Sequence, residues 1–310
     1  MPLRVAVTGA TGFVGRALVP LLTQAGHDLN LLMRNPGSDS RMGSVRIVKG
    51  DLQDGAALRD LTSAADVVLH VAGAVSVPSV AEFMRVNLDG TVKVAKAAKA
   101  NGVKRFVYVS SLAAREPSLN GYCASKASAE AALEGFASDI ELCVMRPAAV
   151  YGPGDTATLP LLQALMSKRA FIPGMASARF AMVHVEDVAR ALAEAVQGPI
   201  GTFAIHDGVP SHSWPELVAI TQQAFARPGS VTYIPRAIAV LAGLAGDGLA
   251  RVRGKPSLVN SGQIRQIYHG DWSVSGDAWP LSNPTSLKDG LPQTIRWYQQ
   301  QGLLPVTEKI

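Results

Sequence analysis

The sequence has few of the residues that carry metal, disulfide or nucleic-acid chemistry. Only two of its 310 residues are cysteine, Cys123 and Cys143, and their separation matches neither a zinc site nor a disulfide framework. We expect both to be small buried residues in a reducing compartment, and we expect no metal site. Charged residues make up 17% of the chain, and its 29 Lys and Arg form no long run, which argues against a nucleic-acid partner.

Long apolar runs are missing as well. No stretch reaches the roughly 18 residues that a spanning helix needs, so we expect no integral membrane segment. The N-terminus leads directly into the apolar run 3–7, which we interpret as a strand. We therefore expect no signal peptide and a cytoplasmic protein. The apolar run 238–246 is short and glycine-broken. We interpret it as a packing helix, with contact to lipid or to a hydrophobic substrate as the alternative.

What the chain does have is a glycine-rich stretch near its beginning. Gly9, Gly12 and Gly15 follow the apolar run 3–7 and open a segment, 13–25, with helical apolar spacing. A strand, a glycine turn and a helix in that order can cradle a phosphate on bare backbone and on the N–H groups of the helix. The spacing is G-x-x-G-x-x-G, not the commoner G-x-G-x-x-G, and a tight turn without ligand is the alternative. The position of this turn, immediately after the first predicted strand, favours dinucleotide binding.

Arg34 indicates which dinucleotide is bound. It follows a second apolar run, 29–33, and no carboxylate occurs after it until Asp39. An acidic residue at this strand end would accept hydrogen bonds from the ribose 2′-hydroxyl of NAD, whereas an arginine pairs with the 2′-phosphate of NADP. We therefore predict NADP, with NAD less favoured. A solvated loop arginine is the alternative.

Two further strand ends carry candidate cofactor contacts. Asp51 and Leu52 follow the predicted strand 45–50. The pair could contact adenine, or Asp51 could equally cap a helix. The run 66–73 contains His70, which we interpret as a satisfied core histidine. That run ends in small residues, as a close-lying cofactor requires, at Ala72 and Gly73.

Strands and helices alternate as far as residue 150, which predicts an α/β fold with a doubly wound parallel sheet over 1–150. The later elements of this part are a helix at 80–100, a strand at 104–110, a helix from Tyr122 to about Phe136 and a strand at 140–145. After Gly154 the alternation degrades. We expect residues 151–310 to form mainly a smaller substrate-binding lobe, with some elements returning to the sheet.

Three residues together make a proton-transfer site. Ser111 stands at the carboxyl end of the strand 104–110, where ligands bind in open α/β sheets, and Tyr122 and Lys126 share one helix face. A nearby ammonium lowers the pKa of a tyrosine from about 10, so Tyr122 can serve as general acid or base between an alcohol and a carbonyl. Ser111 would bind the same oxygen, with Ser110 as the fallback. An exposed Tyr–Lys pair and turn serines are the alternative.

The chain resembles the extended short-chain dehydrogenase/reductase superfamily, the NAD(P)-dependent epimerase/dehydratase group. The resemblance rests on motifs that occur in order: Thr8–Gly15, Asp51-Leu52, Val71–Gly73, Asn87–Thr91, Val109–Ser111, Tyr122-x-x-x-Lys126 and Arg146–Gly154. It implies a Rossmann fold with a C-terminal lobe, and it suggests a homodimer through helices 80–100 and 122–137. Alanine-rich helices of this kind also occur buried in monomers.

The resemblance also implies roles for single residues. Phe13 and Val14 would donate their amides to the pyrophosphate, Lys126 would hold the nicotinamide ribose, and Asn87 would support the site. With Arg34 added, the cofactor-binding set is Gly9, Thr11, Gly12, Phe13, Val14, Gly15, Arg34, Asp51, Leu52, Ala72, Gly73, Tyr122, Lys126, Pro147 and Val150. The catalytic set is Ser111, Tyr122 and Lys126.

The sequence therefore predicts an NADP-dependent oxidoreductase that interconverts an alcohol and a carbonyl on a small organic substrate. A nucleotide-sugar epimerase or dehydratase is the second hypothesis, although the segment between Ser111 and Tyr122 is short for one. A non-catalytic NADP-binding regulatory protein is the third, and the intact Ser, Tyr and Lys set argues against it.

Overall fold

The computed structural model describes residues 1–36, 41–42, 44–226, 228–253 and 260–305, with the backbone alone at 41, 42, 250 and 251. Its strands are β1 (Arg4–Thr8), β2 (Asp28–Met33), β3 (Arg41–Met42), β4 (Val45–Lys49), β5 (Val67–His70), β6 (Arg105–Val109), β7 (Glu141–Pro147), β8 (Ala149–Tyr151), β9 (Arg169–Pro173), β10 (Arg179–Phe180), β11 (Met182–His184), β12 (Gly201–Ile205), β13 (His212–Ser213), β14 (Ser230–Ile234) and β15 (Asp271–Trp272). Its α-helices are α1 (Phe13–Gln24), α2 (Gly55–Thr62), α3 (Val80–Phe83), α4 (Gly90–Ala100), α5 (Gly121–Glu134), α6 (Leu159–Leu165), α7 (Val185–Ala195), α8 (Trp214–Phe225), α9 (Arg236–Arg253), α10 (Ser261–Ile267) and α11 (Leu287–Gln300).

The chain divides into two compact units. The first, which we call the sheet unit, comprises residues 1–147 and 188–205. The second, which we call the C-terminal unit, comprises residues 148–187 and 206–310. The segment 188–205 thus returns to the sheet unit after the chain has entered the C-terminal unit.

The sheet unit is a Rossmann-like α/β fold. Its strands lie in the order β12-β7-β6-β5-β1-β2-β4-β3, and all neighbours are parallel except the short edge pair β3–β4. Helices connect successive strands and flank the sheet, so β1, β5 and β6 are almost wholly buried. The strand order reverses beside β1, and ligands of open α/β sheets bind at such a point, beyond the carboxyl ends of the strands.

The helix expected over 80–100 forms with one irregular part. Ser79 caps α3 by accepting a hydrogen bond from the Glu82 amide, residues 84–89 are π-helical, and α4 follows without a break. A π-segment often marks a functional position. Gly90 opens α4 where a Cβ would lie 3.0 Å from Leu52 Cδ1, which explains a glycine inside this helix.

The C-terminal unit contains small sheets and its own apolar core. The sheets are the parallel pairs β8–β11 and β9–β14 and the three strands β13-β10-β15. Helices α8 and α11 pack together on a core that includes Tyr151, Phe225 and Tyr298. Ser213 caps α8 by accepting a hydrogen bond from the Glu216 amide, as expected. The helix expected at 238–246 is longer than predicted, because α9 spans Arg236–Arg253.

Two expectations about missing features can be compared with the structure. Cys123 and Cys143 are both buried and unpaired, as predicted. Within the described residues, no helix has both the length and the apolar character that crossing a membrane requires.

Candidate active site

The glycine turn brings the ends of β1 and β5 together. Gly9 has a positive φ of 77°, and a Cβ on it would lie 2.6 Å from the Ala72 amide nitrogen. A Cβ on Gly15 would overlap the Gly9 carbonyl oxygen, so α1 can lie this close to the turn only with glycine there. Gly12 is the N-cap of α1, and no side chain caps the first N–H groups of this helix. This cradle fits a pyrophosphate.

The non-glycine residues of the turn lie in the loop and in the first turn of α1. Phe13 and Val14 form the first turn of α1, and Thr11 is exposed beside it. The Thr11 carbonyl oxygen accepts a hydrogen bond of 3.1 Å from the Arg16 guanidinium, which fixes the loop against the helix. Thr8 adds a second tie, because its hydroxyl accepts a 3.3 Å hydrogen bond from the Ala72 amide.

Gly73, Asn87 and Lys126 meet next to this turn. A Cβ on Gly73 would lie 3.1 Å from Lys126 Nζ and 3.3 Å from Asn87 Oδ1, so a larger residue would displace both groups. Asn87 is buried in the π-segment, where it accepts a 2.7 Å hydrogen bond from the Ala74 amide and donates one of 2.9 Å to Ser125 Oγ. It thereby ties the loop after β5 to α5, which carries Lys126.

Ser111 and Tyr122 interact directly. Asn120 caps α5 by accepting a 2.9 Å hydrogen bond from the Cys123 amide, which places Tyr122 in the first turn. Ser111 begins a 3-10 turn at Leu112–Arg115, and its Oγ accepts a 3.1 Å hydrogen bond from the Ala113 amide. Burial raises the pKa of Tyr122, and a side-chain hydrogen bond with Ser111 partly opposes that rise.

The direction of this pKa shift corrects one expectation from the sequence. We expected the Lys126 ammonium to lower the pKa of Tyr122, but the shift is upward because burial of the phenol dominates. Lys126 Nζ instead donates a 2.9 Å hydrogen bond to the Val109 carbonyl oxygen. The phenol therefore stays protonated at neutral pH, and a protonated phenol can donate its proton to a carbonyl oxygen.

Lys126 is itself strongly perturbed. Its side chain is almost wholly buried, and burial lowers its pKa to about 8, against a smaller opposing effect of the Glu130 carboxylate. The ammonium lies 5.0 Å from the centre of the Tyr108 ring. Most Lys126 side chains are thus charged at neutral pH and become neutral in mildly alkaline solution.

A half-buried ion pair that the sequence analysis missed lies beside Lys126. Glu130 accepts hydrogen bonds from the Arg146 guanidinium, with a 3.0 Å bond from Nε, and from the Ser110 hydroxyl. Residues 122, 126 and 130 are spaced four apart, so the sequence did hold the signal that Glu130 shares a helix face with Tyr122 and Lys126. Since Ser110 is buried and bound to Glu130, Ser111 is the more accessible of the two serines.

The structure excludes the helix-capping role considered for Asp51. Asp51 does not cap a helix: its carboxylate accepts a 2.7 Å hydrogen bond from the Gln53 amide, and the cap of α2 is Asp54, which accepts from Ala56 and Ala57. The capping alternative was wrong because α2 begins later, at Gly55. Asp51 is exposed, and Leu52 is half-buried against the apolar core.

Arg34 is exposed directly after β2, on the neighbour of β1 in the sheet. Asp39, the next carboxylate, lies outside the described residues. Pro147 ends β7 in the sheet unit, whereas Val150 belongs to β8 in the C-terminal unit, where it pairs with Val183.

His70 is a core residue, as the sequence indicated. It is fully buried, and its two ring nitrogens lie 2.6 Å from Thr8 Oγ1 and 2.9 Å from Thr91 Oγ1. Burial, with a smaller effect of Lys126, lowers its pKa to about 3, so the ring is neutral. Among the described residues, no group of His, Cys, Asp and Glu could hold a metal ion.

The family described as "NAD dependent epimerase/dehydratase family" matches residues 5–202 of the chain. The ceramide reductase of Caulobacter vibrioides (strain NA1000 / CB15N) is 37% identical over 308 residues, which are 97% of this chain and 96% of the relative. The 4-hydroxy-2-methyl-3-oxo-4-farnesyl-3,4-dihydroquinoline-1-oxide ketoreductase of Stigmatella aurantiaca is 30% identical over 256 residues, which are 74% of this chain and 77% of the relative.

The fold also occurs in solved structures. The crystal structure of DesIV, a dTDP-glucose 4,6-dehydratase from Streptomyces venezuelae with NAD and TYD bound, is similar with a TM-score of 0.73. The similarity covers 99% of this chain and all of that chain, at 21% identity. It therefore supports the architecture of the sheet unit and the C-terminal unit, each as described above.

Proposed function

Because the chain belongs to the NAD dependent epimerase/dehydratase family and is an NAD(P)-dependent enzyme of the extended short-chain type, we propose that it is an NADP-dependent ketoreductase of lipophilic substrates. The observation that carries the proposal is the hydrogen bond between Ser111 and a protonated Tyr122. The match to named reductases supports the reductase class. This match also argues against the hypothesis of a non-catalytic NADP-binding regulatory protein.

The chain's own residues have distinct tasks in this proposal. The cradle of Gly9, Gly12 and Gly15 binds the pyrophosphate through backbone N–H groups, and Lys126 holds the nicotinamide ribose hydroxyls. The reduced nicotinamide supplies a hydride when it is bound. Tyr122 donates its Oη proton to the substrate carbonyl oxygen, and Ser111 donates a hydrogen bond to the same oxygen as negative charge develops there.

The raised pKa of Tyr122 supports the direction of carbonyl reduction. A phenol that stays protonated through the neutral range is ready to donate a proton. The reverse reaction needs the phenolate, which burial disfavours. The net change is a ketone carbon that gains hydride and an oxygen that gains a proton, so the product is a secondary alcohol.

The relatives suggest the chemical class of substrate. One is a ceramide reductase, and the other is a ketoreductase of a compound that bears a farnesyl group. Both names describe molecules with a long hydrocarbon chain. We propose that this chain reduces a ketone on a molecule of that kind, such as the keto form of a ceramide.

The cofactor preference is a further part of the proposal. The family supports a nicotinamide dinucleotide, and Arg34 supports NADP over NAD because a guanidinium can pair with the 2′-phosphate. Asp51, Leu52, Ala72 and Gly73 would line the adenosine side of the same cofactor. We propose that Pro147 and Val150 contact the nicotinamide carboxamide.

Consumption of NADPH with a long-chain keto-amide as substrate tests the function. We expect substrate-dependent oxidation of NADPH and a secondary alcohol as product, identified by mass spectrometry. A nucleotide sugar serves as the comparison, because the similarity to a dTDP-glucose 4,6-dehydratase keeps that class as the second candidate. Conversion of the nucleotide sugar without net NADPH consumption, and no reaction with the keto-amide, would replace the ketoreductase by an epimerase or dehydratase.

A homodimer through the helical regions 80–100 and 122–137 is a secondary proposal. Ala95, Ala98 and Ala129 pack into the core of their own unit, so a contact between copies would use the outer faces of these helices. Sedimentation equilibrium distinguishes the dimer from a monomer.

A further inference from the structure

Helix α9 carries an apolar surface that the proposed activity does not explain. Six of its large apolar side chains are exposed, among them Leu241 at 69% and Val252 at 86%; the others are Ile238, Val240, Leu244 and Leu249. Single exposed apolar residues are common on protein surfaces, but a concentration on one helix marks an interaction site.

The residues that α9 buries are small. Among the positions of α9 whose side chains the structure describes, Ala239, Gly243 and Gly246 are buried. Gly243 faces α10, where a Cβ would lie 3.1 Å from Ser261 and from Ile264 Cγ1. Small residues let the two helices approach closely. The large side chains are therefore not used to attach α9 to its own unit, and they project away from it.

Four of the six exposed apolar side chains form one continuous line together with Ala245. Ile238, Leu241, Ala245, Leu249 and Val252 follow one another in steps of three or four residues, which keeps them on one face of an α-helix, and all five are exposed. We call these five residues the α9 stripe. Leu244 lies beside it, one turn after Leu241.

The charged residues of α9 indicate which kind of surface the helix would bind. Arg236 and Arg253 are exposed at the two ends of the helix. Asp247 is the single acidic residue in the helix sequence, and its carboxylate is turned toward α10, where it accepts a 3.3 Å hydrogen bond from the Ser261 amide. The exposed surface thus combines an apolar centre with cationic ends, which complements an anionic lipid surface.

We propose that the α9 stripe docks on the surface of an anionic lipid bilayer, with the helix axis in the plane of the interface and the two arginines at the headgroups. A second copy of the chain is a poorer occupant. In an antiparallel two-fold pair, Arg236 of each copy would face Arg253 of the other. The carboxylate of Asp247 is turned toward α10 and would not offset the repulsion. This inference goes beyond the proposed activity and does not depend on it.

Vesicle flotation with the full chain tests the proposal. The vesicles are phosphatidylcholine, with or without phosphatidylglycerol. We expect the protein to float with the anionic vesicles. Leu241→Gln and Val252→Gln are each expected to lower the partition coefficient by about tenfold. The matched control is Ile200→Gln, because Ile200 is as exposed as Ile238, at 57% against 58%, but belongs to the sheet unit.

Charge is tested separately from apolar contact. Arg236→Gln and Arg253→Gln should each weaken binding to the anionic vesicles by about fivefold and reduce its salt dependence. Circular dichroism verifies that each variant is folded. The proposal is overturned if the wild-type chain does not float, if Ile200→Gln lowers binding as much as the stripe variants do, or if the stripe proves to join two copies, shown by a wild-type dimer that Leu241→Gln dissociates.

Discussion

The ammonium nitrogen of Lys126 lies 5.0 Å from the centre of the Tyr108 ring. The His70 ring stacks on the Tyr108 ring, with the two ring centres 5.8 Å apart and the ring planes at 19° to each other. The face of an aromatic ring attracts a cation, and the attraction is strongest where water is excluded. Tyr108 thus stabilises the charged form of Lys126 at a buried position where desolvation disfavours it.

Replacement of Tyr108 tests this contact. Tyr108→Leu removes the ring, so the pKa of Lys126 should fall by about half to one unit below that of the wild-type chain. Tyr108→Phe keeps the ring and should leave the pKa unchanged, which makes it the matched control. The measurement is the alkaline midpoint of kcat/KM for NADPH. Equal midpoints in the Leu and Phe variants would show that the ring does not act on Lys126.

The pH dependence of the wild-type chain follows from two pKa shifts. Burial lowers the pKa of Lys126 to about 8 and raises that of Tyr122. In the proposed reduction the active form has both groups protonated. We therefore expect kcat/KM to be flat below pH 8 and then to fall by about tenfold per pH unit, as Lys126 loses its proton. Lys126→Arg keeps the charge at every accessible pH, so the decline should disappear in that variant, although its plateau is lower. A decline near pH 8 that persists in Lys126→Arg would assign it to another group.

Two glycine replacements separate backbone strain from steric blocking. Gly9 and Gly26 both have a positive φ, of 77° and 80°, but a Cβ on Gly26 meets no atom within 4 Å. Gly26→Ala should therefore cost about 1 kcal/mol of folding stability and leave NADPH binding intact. Gly9→Ala places the Cβ against Ala72 and should abolish NADPH binding, measured by fluorescence titration, and lower the melting temperature further. Normal NADPH affinity in a folded Gly9→Ala chain would exclude this turn as the phosphate site.

The proposed preference for NADP over NAD rests on Arg34. Arg34→Ala should lower kcat/KM for NADPH by about tenfold to a hundredfold and change the value for NADH little, because a charge-assisted bond to the 2′-phosphate is lost. Arg59, an exposed arginine on α2, provides the control, and Arg59→Ala should leave both values unchanged. An unaltered ratio of the two cofactors in Arg34→Ala would remove Arg34 from the site.

Much of the sheet unit could be predicted from the sequence, because local signals coincide there. The glycine turn, the alternation of elements and the strand-end serines identified β1, α1 and β6 and anticipated the contact between Ser111 and Tyr122. His70 could be recognised as a core residue because it stands within an apolar run. These features depend on residues close together in the chain.

The missed features depend on tertiary contacts. The π-segment that carries Asn87 has the composition of an ordinary helix, and the hydrogen bonds of Asn87 to Ala74 and Ser125 join it to residues distant in the sequence. The upward pKa shift of Tyr122 reflects burial, which spacing does not reveal. Strands of two or three residues, such as β8 and β13, are too short to show a period. The full length of α9 is not evident from the sequence, because its glycines resemble helix breaks whereas Gly243 permits close packing on α10.

The central claim is that Tyr122 donates the proton in a reduction by NADPH. The most direct measurement compares Tyr122→Phe with the wild-type chain in two assays, NADPH binding by fluorescence titration and single-turnover oxidation of bound NADPH by a long-chain keto-amide. We expect Tyr122→Phe to bind NADPH with unchanged affinity and to lose at least about a thousandfold in the rate of turnover. A variant that binds NADPH and still reduces the ketone at the wild-type rate would contradict the account.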